Sequence, residues 1–215
     1  MLISTEKNFL FVHIPKTAGT SIRENLRPYC VRTKKFGPVK LLSKLGLAPN
    51  WHWEHFRIHT PLRVAEQRLP PELYDRLLKF AFVRNPWDRL VSQYHWRRRR
   101  KYRFNTRKLW AFGSFSKYLR WEVTSRQNRG RMLQLSMLDD SRGKIGVDRI
   151  LRFESLVTDW TALADELGIA SALQHRIRTK HDDWRGHYTD QDAAFVAEHW
   201  APDIEAFGYT FDDGQ

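Results

Sequence analysis

The sequence predicts an α/β fold, with a central parallel sheet flanked by helices in three layers. Three observations predict it. Residues 9–14 and 80–83 are apolar runs of strand length, and Phe80-Ala81-Phe82-Val83 shows no polar alternation, as expected of a parallel strand buried on both faces. Each run ends in a short turn followed at once by helical periodicity. Residues 148–154 then repeat the same strand-before-helix order further along. With 215 residues the chain supports one sizeable core, and a single domain over 1–215 is expected.

Taken in order, Ile22 and Leu26 lie four apart on the first helix, and Pro28 marks its stop. Residues 28–50 change texture: Gly37, Pro38, Gly46 and Pro49 punctuate Arg32, Lys34, Lys35, Lys40 and Lys44, which reads as a long basic surface loop with one helical turn at 41–45. Thr60 as N-cap and Pro61 at the first helical position open a helix with Leu62, Ala65 and Leu69 on one face. After Pro70-Pro71, a short helix over 72–79 precedes the second strand. Asn85 caps the next helix, Pro86 starts it, Asp88 sits in its first turn, and Trp87, Leu90, Val91 and Tyr94 form its core-facing stripe. Residues 114–123 form a helix whose faces are set by Phe115, Tyr118, Leu119 and Glu122; 124–131 read as loop and 132–138 as an apolar stretch around Gln134. Ser155 begins a helix with Leu156, Trp160, Leu163 and Leu167 on one face, ended by Gly168. A polar loop over 179–187 leads to Thr189, which caps a final helix through 190–206 with Phe195, Val196, Trp200, Ile204 and Phe207 on its apolar face.

The turn after the first strand concentrates anion-binding chemistry. In Pro15-Lys16-Thr17-Ala18-Gly19-Thr20-Ser21, one lysine, one glycine and three hydroxyls converge where a helix start presents unpaired backbone N–H groups and the positive end of its dipole. The lysine precedes the glycine, so this is not the Gly-Lys-Ser/Thr loop of the nucleoside-triphosphate binders. Arg84, at the carboxyl end of the second strand, is where an open α/β sheet places a second anion contact, with Ser92 on the polar face of the helix that follows. A ligand with anions at both ends fits these two strand-turn-helix units. His59 stands at the mouth of a helix and is a candidate general base. His52, His55 and His59 do not have the spacing of a zinc helix, and His52 and His55 read as loop histidines.

The segment from Phe11 through Ser21 resembles the 5′-phosphosulfate loop of the P-loop sulfotransferases, and the segment from Phe80 through Tyr94, with Arg84-Asn85-Pro86-Trp87-Asp88-Arg89-Leu90-Val91-Ser92, resembles their 3′-phosphate segment. Their order is right, and His59-Thr60, Arg152-Phe153-Glu154-Ser155-Leu156 and Asp203-Ile204-Glu205-Ala206-Phe207-Gly208-Tyr209 extend the likeness over nearly the whole chain. The branch is that of the carbohydrate sulfotransferases and their small bacterial members. The resemblance implies a P-loop-type fold. It also implies a donor, 3′-phosphoadenosine 5′-phosphosulfate, with 3′,5′-bisphosphate as product, and a hydroxyl acceptor on a carbohydrate such as a polysaccharide or glycolipid. Pro15, Lys16, Thr17, Ala18, Gly19, Thr20 and Ser21 would hold the 5′ group, Lys16 also covering the leaving oxygen, and Arg84 and Ser92 would hold the 3′-phosphate. His59 would be the base, with Glu54 as its rival, and no metal is needed.

Composition narrows the partners without choosing one. Thirty-seven Lys+Arg against 24 Asp+Glu give +13, a surface that attracts polyanions. The densest basic run, residues 97–103, is either a solvated face or a grip on an acidic glycan acceptor. The single cysteine, Cys30, excludes an intrachain disulfide framework and reads as a small, partly buried side chain. No apolar run is long enough to span a membrane and no signal peptide is recognisable, so a cytoplasmic enzyme is expected. Two other readings share this physics. A P-loop kinase or nucleotide hydrolase would need a metal-holding acid, for which Glu154 is the candidate, and a nucleic-acid-binding module would use 97–103; no nucleic-acid partner is expected on the reading preferred here.

Overall fold

The computed structural model describes residues 1–31, 51, 56–99, 113–124, 133–173 and 183–212. The readings made for 32–50, His52, Glu54, His55, 100–103, 125–132 and 179–182 lie outside these residues. In chain order the elements are β1 (Leu2–Ser4), β2 (Phe9–Val12), α1 (Gly19–Leu26), α2 (Leu62–Arg68), α3 (Pro71–Arg76), β3 (Leu78–Val83), α4 (Pro86–Arg99), α5 (Phe115–Thr124), the single turn α6 (Leu135–Leu138), β4 (Arg149–Arg152), α7 (Leu156–Leu167), α8 (Asp190–His199) and α9 (Ala201–Phe207). They fall into two compact units interleaved along the chain, Met1–Val83 with Met137–Ile177, and Arg84–Ser136 with Arg178–Gln215.

The first unit holds a four-stranded sheet in the order β1-β2-β3-β4. β2 pairs parallel with β3, Phe11 opposite Phe80, and β3 parallel with β4, Phe80 opposite Arg149. The sheet is thus mainly parallel, as expected. Phe9, Phe11, Phe80 and Phe82 share one face and pack with Ile22 and Leu26 of α1 and Leu156, Trp160, Leu163 and Ala164 of α7. The opposite face is equally dry: Leu10, Val12, Ala81 and Val83 are fully buried. Burial on both faces explains why the β3 run carries no polar alternation.

The edges differ from the centre. β1, which no periodicity announced, pairs antiparallel with β2, and three residues are too few to show a pattern. Its turn is closed by the Lys7 amide donating to Ser4 Oγ at 3.1 Å and by Asn8 at φ 49°. β4 exposes Arg149 and Arg152, charges that discourage edge pairing, on either side of the exposed Ile150.

Three local expectations are corrected. The helix read at 72–79 ends at Arg76, and Lys79 belongs to β3, its ammonium donating to the Tyr74 and Leu77 carbonyls at 3.2 and 2.8 Å. A lysine that reaches back to the last carbonyls of a helix satisfies groups the helix cannot. Thr60 is not an N-cap: Pro61 holds that position, and the Thr60 hydroxyl donates to the Arg57 carbonyl at 2.9 Å. The final helix is two helices, parted at Trp200, because Pro202 has no N–H and its ring excludes the preceding turn. Elsewhere the caps match: Thr189 accepts from the Asp192 amide and Asn85 from the Trp87 amide, and Gly168 ends α7 in the left-handed region.

The second unit is organised by buried polar groups. Gln134 clamps the Arg84 backbone, accepting from its N–H at 2.9 Å and donating to its carbonyl at 2.8 Å. Fully buried Asp203 accepts from the Gln134 and Leu135 amides at 2.8 and 2.9 Å, with Arg89 at 3.9 Å. Burial raises the Asp203 carboxyl above its usual range, against the pull of Arg89 and these amides. Glu122, on the buried face of α5, accepts from Gln93 and pairs with Arg97 at 3.4 Å. Asp203→Ala leaves two buried amides and Arg89 without their acceptor, and urea denaturation is expected to show about 3 kcal/mol or more of lost stability.

Candidate functional site

The sheet delivers the chain from β2 directly into the predicted anion loop. Beyond Val12, His13 and Ile14 remain buried, and Pro15 and Lys16 are half-exposed. Lys16 and Ala18 both take the left-handed backbone region, at φ 72° and 58°. For residues with a Cβ this is strained by about 1 kcal/mol or more each, and alternation of right- and left-handed residues is the backbone pattern that turns N–H groups towards an anion. Ala18 is the N-cap of α1, makes no side-chain capping bond, and no acidic residue occupies the first turn. The helix start therefore keeps its positive character, whereas α4 and α8 carry acidic residues in their first turns.

The hydroxyls divide into different tasks. Thr17 is fully buried and its Oγ1 donates to the Ile14 carbonyl at 3.1 Å, so this hydroxyl closes the loop and its proton does not serve an anion. Thr20 is exposed, and Ser21 is nearly buried on the first turn.

Gly19 is explained by what lies over it. A Cβ built there would stand 1.9 Å from Cδ2 and Nε2 of His13, closer than any real contact. The His13 ring thus occupies the space that any other residue's side chain would need. The same histidine reaches His59, whose Nδ1 lies 2.9 Å from the His13 carbonyl, with the rings 4.7 Å apart and inclined at 58°. A carbonyl only accepts, so Nδ1 of His59 carries the hydrogen, and in the neutral ring the lone pair resides on Nε2. Burial, helped by the nearby charges of His59 and Arg23, lowers the His13 pKa to about 2, so this imidazole stays neutral. His13 was not singled out from the sequence. Its signal is the spacing to Gly19, an aromatic-sized residue leaving a strand and a glycine opening the next helix.

The other candidates lie in the second unit. Arg84 and Ser92 are buried, and the Arg84 guanidinium grips Asp88, Nε and one terminal nitrogen each at 2.7 Å from a carboxylate oxygen. Two of its five N–H groups are thereby engaged. In the basic run, Arg97 turns inward to Glu122 and stacks on Trp121 at 4.8 Å, and Arg98 lies over Tyr94 at 5.4 Å. Glu154 is an exposed residue just past β4. Cys30 is half-buried, as expected, and burial pushes its thiol up to about 12. No helix of the described residues is long and apolar enough to cross a membrane.

A mainly parallel sheet flanked by helices, whose second strand feeds a lysine-bearing loop and a helix start with no side-chain cap, defines an α/β protein. Residues 1–210 match the model of the sulfotransferase family, and the chain belongs to that family. The chain is similar to an uncharacterized protein of Archaeoglobus fulgidus, 30% identical over 124 residues that make up 57% of this chain and 94% of that protein. It is also similar to the crystal structure of a sulfotransferase from Alicyclobacillus acidocaldarius, with 16% identity, a TM-score of 0.41, and 94% of this chain and 98% of the other covered.

Two outcomes follow from His13. Gly19→Ala is expected to lose about 2 kcal/mol of stability through the clash, and His13→Ala in the same chain to restore much of it, a coupling that a double-mutant cycle by urea denaturation measures. The low folded pKa sets a sign as well. The unfolded chain takes up a proton at His13 below about pH 6.5 and the folded chain does not until about pH 2, so stability falls on acidification between these values. The His13 contribution to that slope is about 1.4 kcal/mol per pH unit, and its disappearance in His13→Ala is read from denaturation at pH 4 to 7.

Proposed function

We propose that this sulfotransferase-family protein moves the sulfuryl group of 3′-phosphoadenosine 5′-phosphosulfate to a hydroxyl of a carbohydrate acceptor. The observation that supports this most is the loop from Pro15 to Ser21, with Lys16 between a buried strand and a helix start free of capping side chain and acid. Such a loop suits an oxyanion of modest charge held by backbone N–H groups, and Lys16 adds a full positive charge where the leaving oxygen gains its negative one.

In the proposed reaction the acceptor O–H gives its proton to Nε2 of His59 as its oxygen bonds to sulfur. The sulfur–oxygen bond to the 5′-phosphate breaks with its electron pair, and adenosine 3′,5′-bisphosphate departs. His59 suits the role because its Nδ1–H is anchored on the His13 carbonyl, which selects the tautomer with a basic Nε2. Glu54 stays the rival base. Arg84 and Ser92 are proposed for the 3′-phosphate on the resemblance of their segment, the Asp88 pair keeping the Arg84 fork in one orientation. The whole of 1–215 is read as one catalytic domain, since the family match runs through both compact units.

Calorimetric titration with adenosine 3′,5′-bisphosphate tests the donor. Wild type should bind, and Lys16→Ala and Arg84→Ala should each weaken binding at least about tenfold, about 1.4 kcal/mol. A wild-type protein that does not bind sinks the reading. In a sulfation assay His59→Ala should lower kcat by about 10²-fold or more with nucleotide affinity unchanged; unaltered turnover would transfer the base to Glu54.

A further inference from the structure

The unit that carries the sheet also holds a cavity of about 1060 Å³, whose described lining includes Arg23, Arg27 and Arg57, one carboxylate, Glu24, and the aromatic Trp51 and Phe56. Three guanidinium groups therefore border one space, and none of the three is paired with a carboxylate among the described residues. Arg23 and Arg27 are one helical turn apart, the Arg27 amide donating to the Arg23 carbonyl, a spacing at which like charges repel. Arg23 Nε is buried without a hydrogen-bond partner. Burial first, and then the charge of Arg27, lowers the Arg23 pKa, outweighing the opposite pull of Cys30 and Glu24. The space is not uniformly polar: Trp51 and Phe56 add apolar faces to its wall.

Its position links it to the candidate site. Arg23 stands one turn beyond Gly19 on α1, and its charge is felt at His13, whose carbonyl holds His59. Arg57 precedes His59 by two residues. By contrast, Arg97 of the basic run is turned onto Glu122 inside the protein. Arg23, Arg27 and Arg57 of the cavity have no such carboxylate pair among the described residues.

We propose that this cavity is the acceptor subsite and takes an anionic sugar, its ring against Trp51 and Phe56 and its carboxylate or sulfate held by Arg23, Arg27 and Arg57. The assignment rests on the sulfotransferase reading above and narrows it to an acceptor that already bears negative charge. Guanidinium forks suit carboxylate and sulfate oxygens, and flat aromatic faces suit the C–H face of a sugar ring.

The test titrates the full chain with a sulfated, uronate-containing disaccharide and with its desulfated, carboxyl-reduced counterpart, with adenosine 3′,5′-bisphosphate measured in parallel. Wild type should bind the anionic sugar and not the neutral one. Arg23→Gln and the double variant Arg27→Gln/Arg57→Gln should each weaken sugar binding at least tenfold while nucleotide affinity stays unchanged. Arg27 and Arg57 are exposed, so the double variant keeps the test valid should Arg23→Gln fold poorly. Sugar binding that is absent from wild type, equal in the variants, or equal for the neutral sugar overturns the assignment while leaving the donor reading intact. Failure of wild type to bind the nucleotide overturns the donor reading, and the acceptor role with it.

Discussion

The contact on which the site depends is the packing of the His13 ring onto the backbone of Gly19. It joins the end of β2 to the start of α1 at van der Waals distance, and only a residue without a Cβ allows it. The short path between strand and helix then needs Lys16 and Ala18 in the left-handed region, a local strain of about 1 kcal/mol or more at each. That strain is offset by the dry core that anchors both sides of the turn, Phe9 and Phe11 below it and Ile22 and Leu26 beyond it. The same backbone that carries the ring offers its carbonyl to His59, so one residue sets both the shape of the loop and the tautomer of the neighbouring imidazole.

The second unit solves a different problem, burying charge without leaving it unmatched. Asp203 is entirely enclosed, yet each of its oxygens meets a backbone amide, and Gln134, which supplies one of them, uses its own side chain to hold Arg84 as a strand neighbour would. Arg84 is held at the backbone by Gln134 and at the guanidinium by Asp88. A satisfied network of this kind gives its members one geometry, and its loss would leave several groups uncompensated at once. Net charge does not tell which cations are paired within the fold: Arg97 and Arg149 have carboxylate partners, and Arg23, Arg27 and Arg57 line a cavity.

Much of the framework was legible in the chain. Phe80-Ala81-Phe82-Val83 could only be a strand buried on both faces, the stripe of Trp87, Leu90 and Val91 could only face a core, and Thr189, Asn85 and Gly168 act as the caps their chemistry suggests. These readings succeed because period, capping and chain reversal are local properties. β1 was missed because three residues carry no period, and it exists only through its ladder with β2. Lys79 was misplaced because its helical neighbours outweighed, in sequence, the carbonyls and Asp148 that receive its ammonium in space. The continuous helix over 190–206 failed at Pro202, where an unbroken apolar face hid the missing N–H.

By itself, then, the amino-acid order determined that a lysine-bearing loop follows a buried strand and opens a helix, because residue type and spacing suffice for that. Tertiary structure decided what the loop's members do. Thr17 closes the turn where the sequence suggested a third hydroxyl for the anion, and His13, unremarked in the chain, fills the space above Gly19 and orients His59. The physical reason is distance along the chain. Donors for a carbonyl or the occupant above a glycine come from residues 3 to 46 positions away, and only packing brings these together.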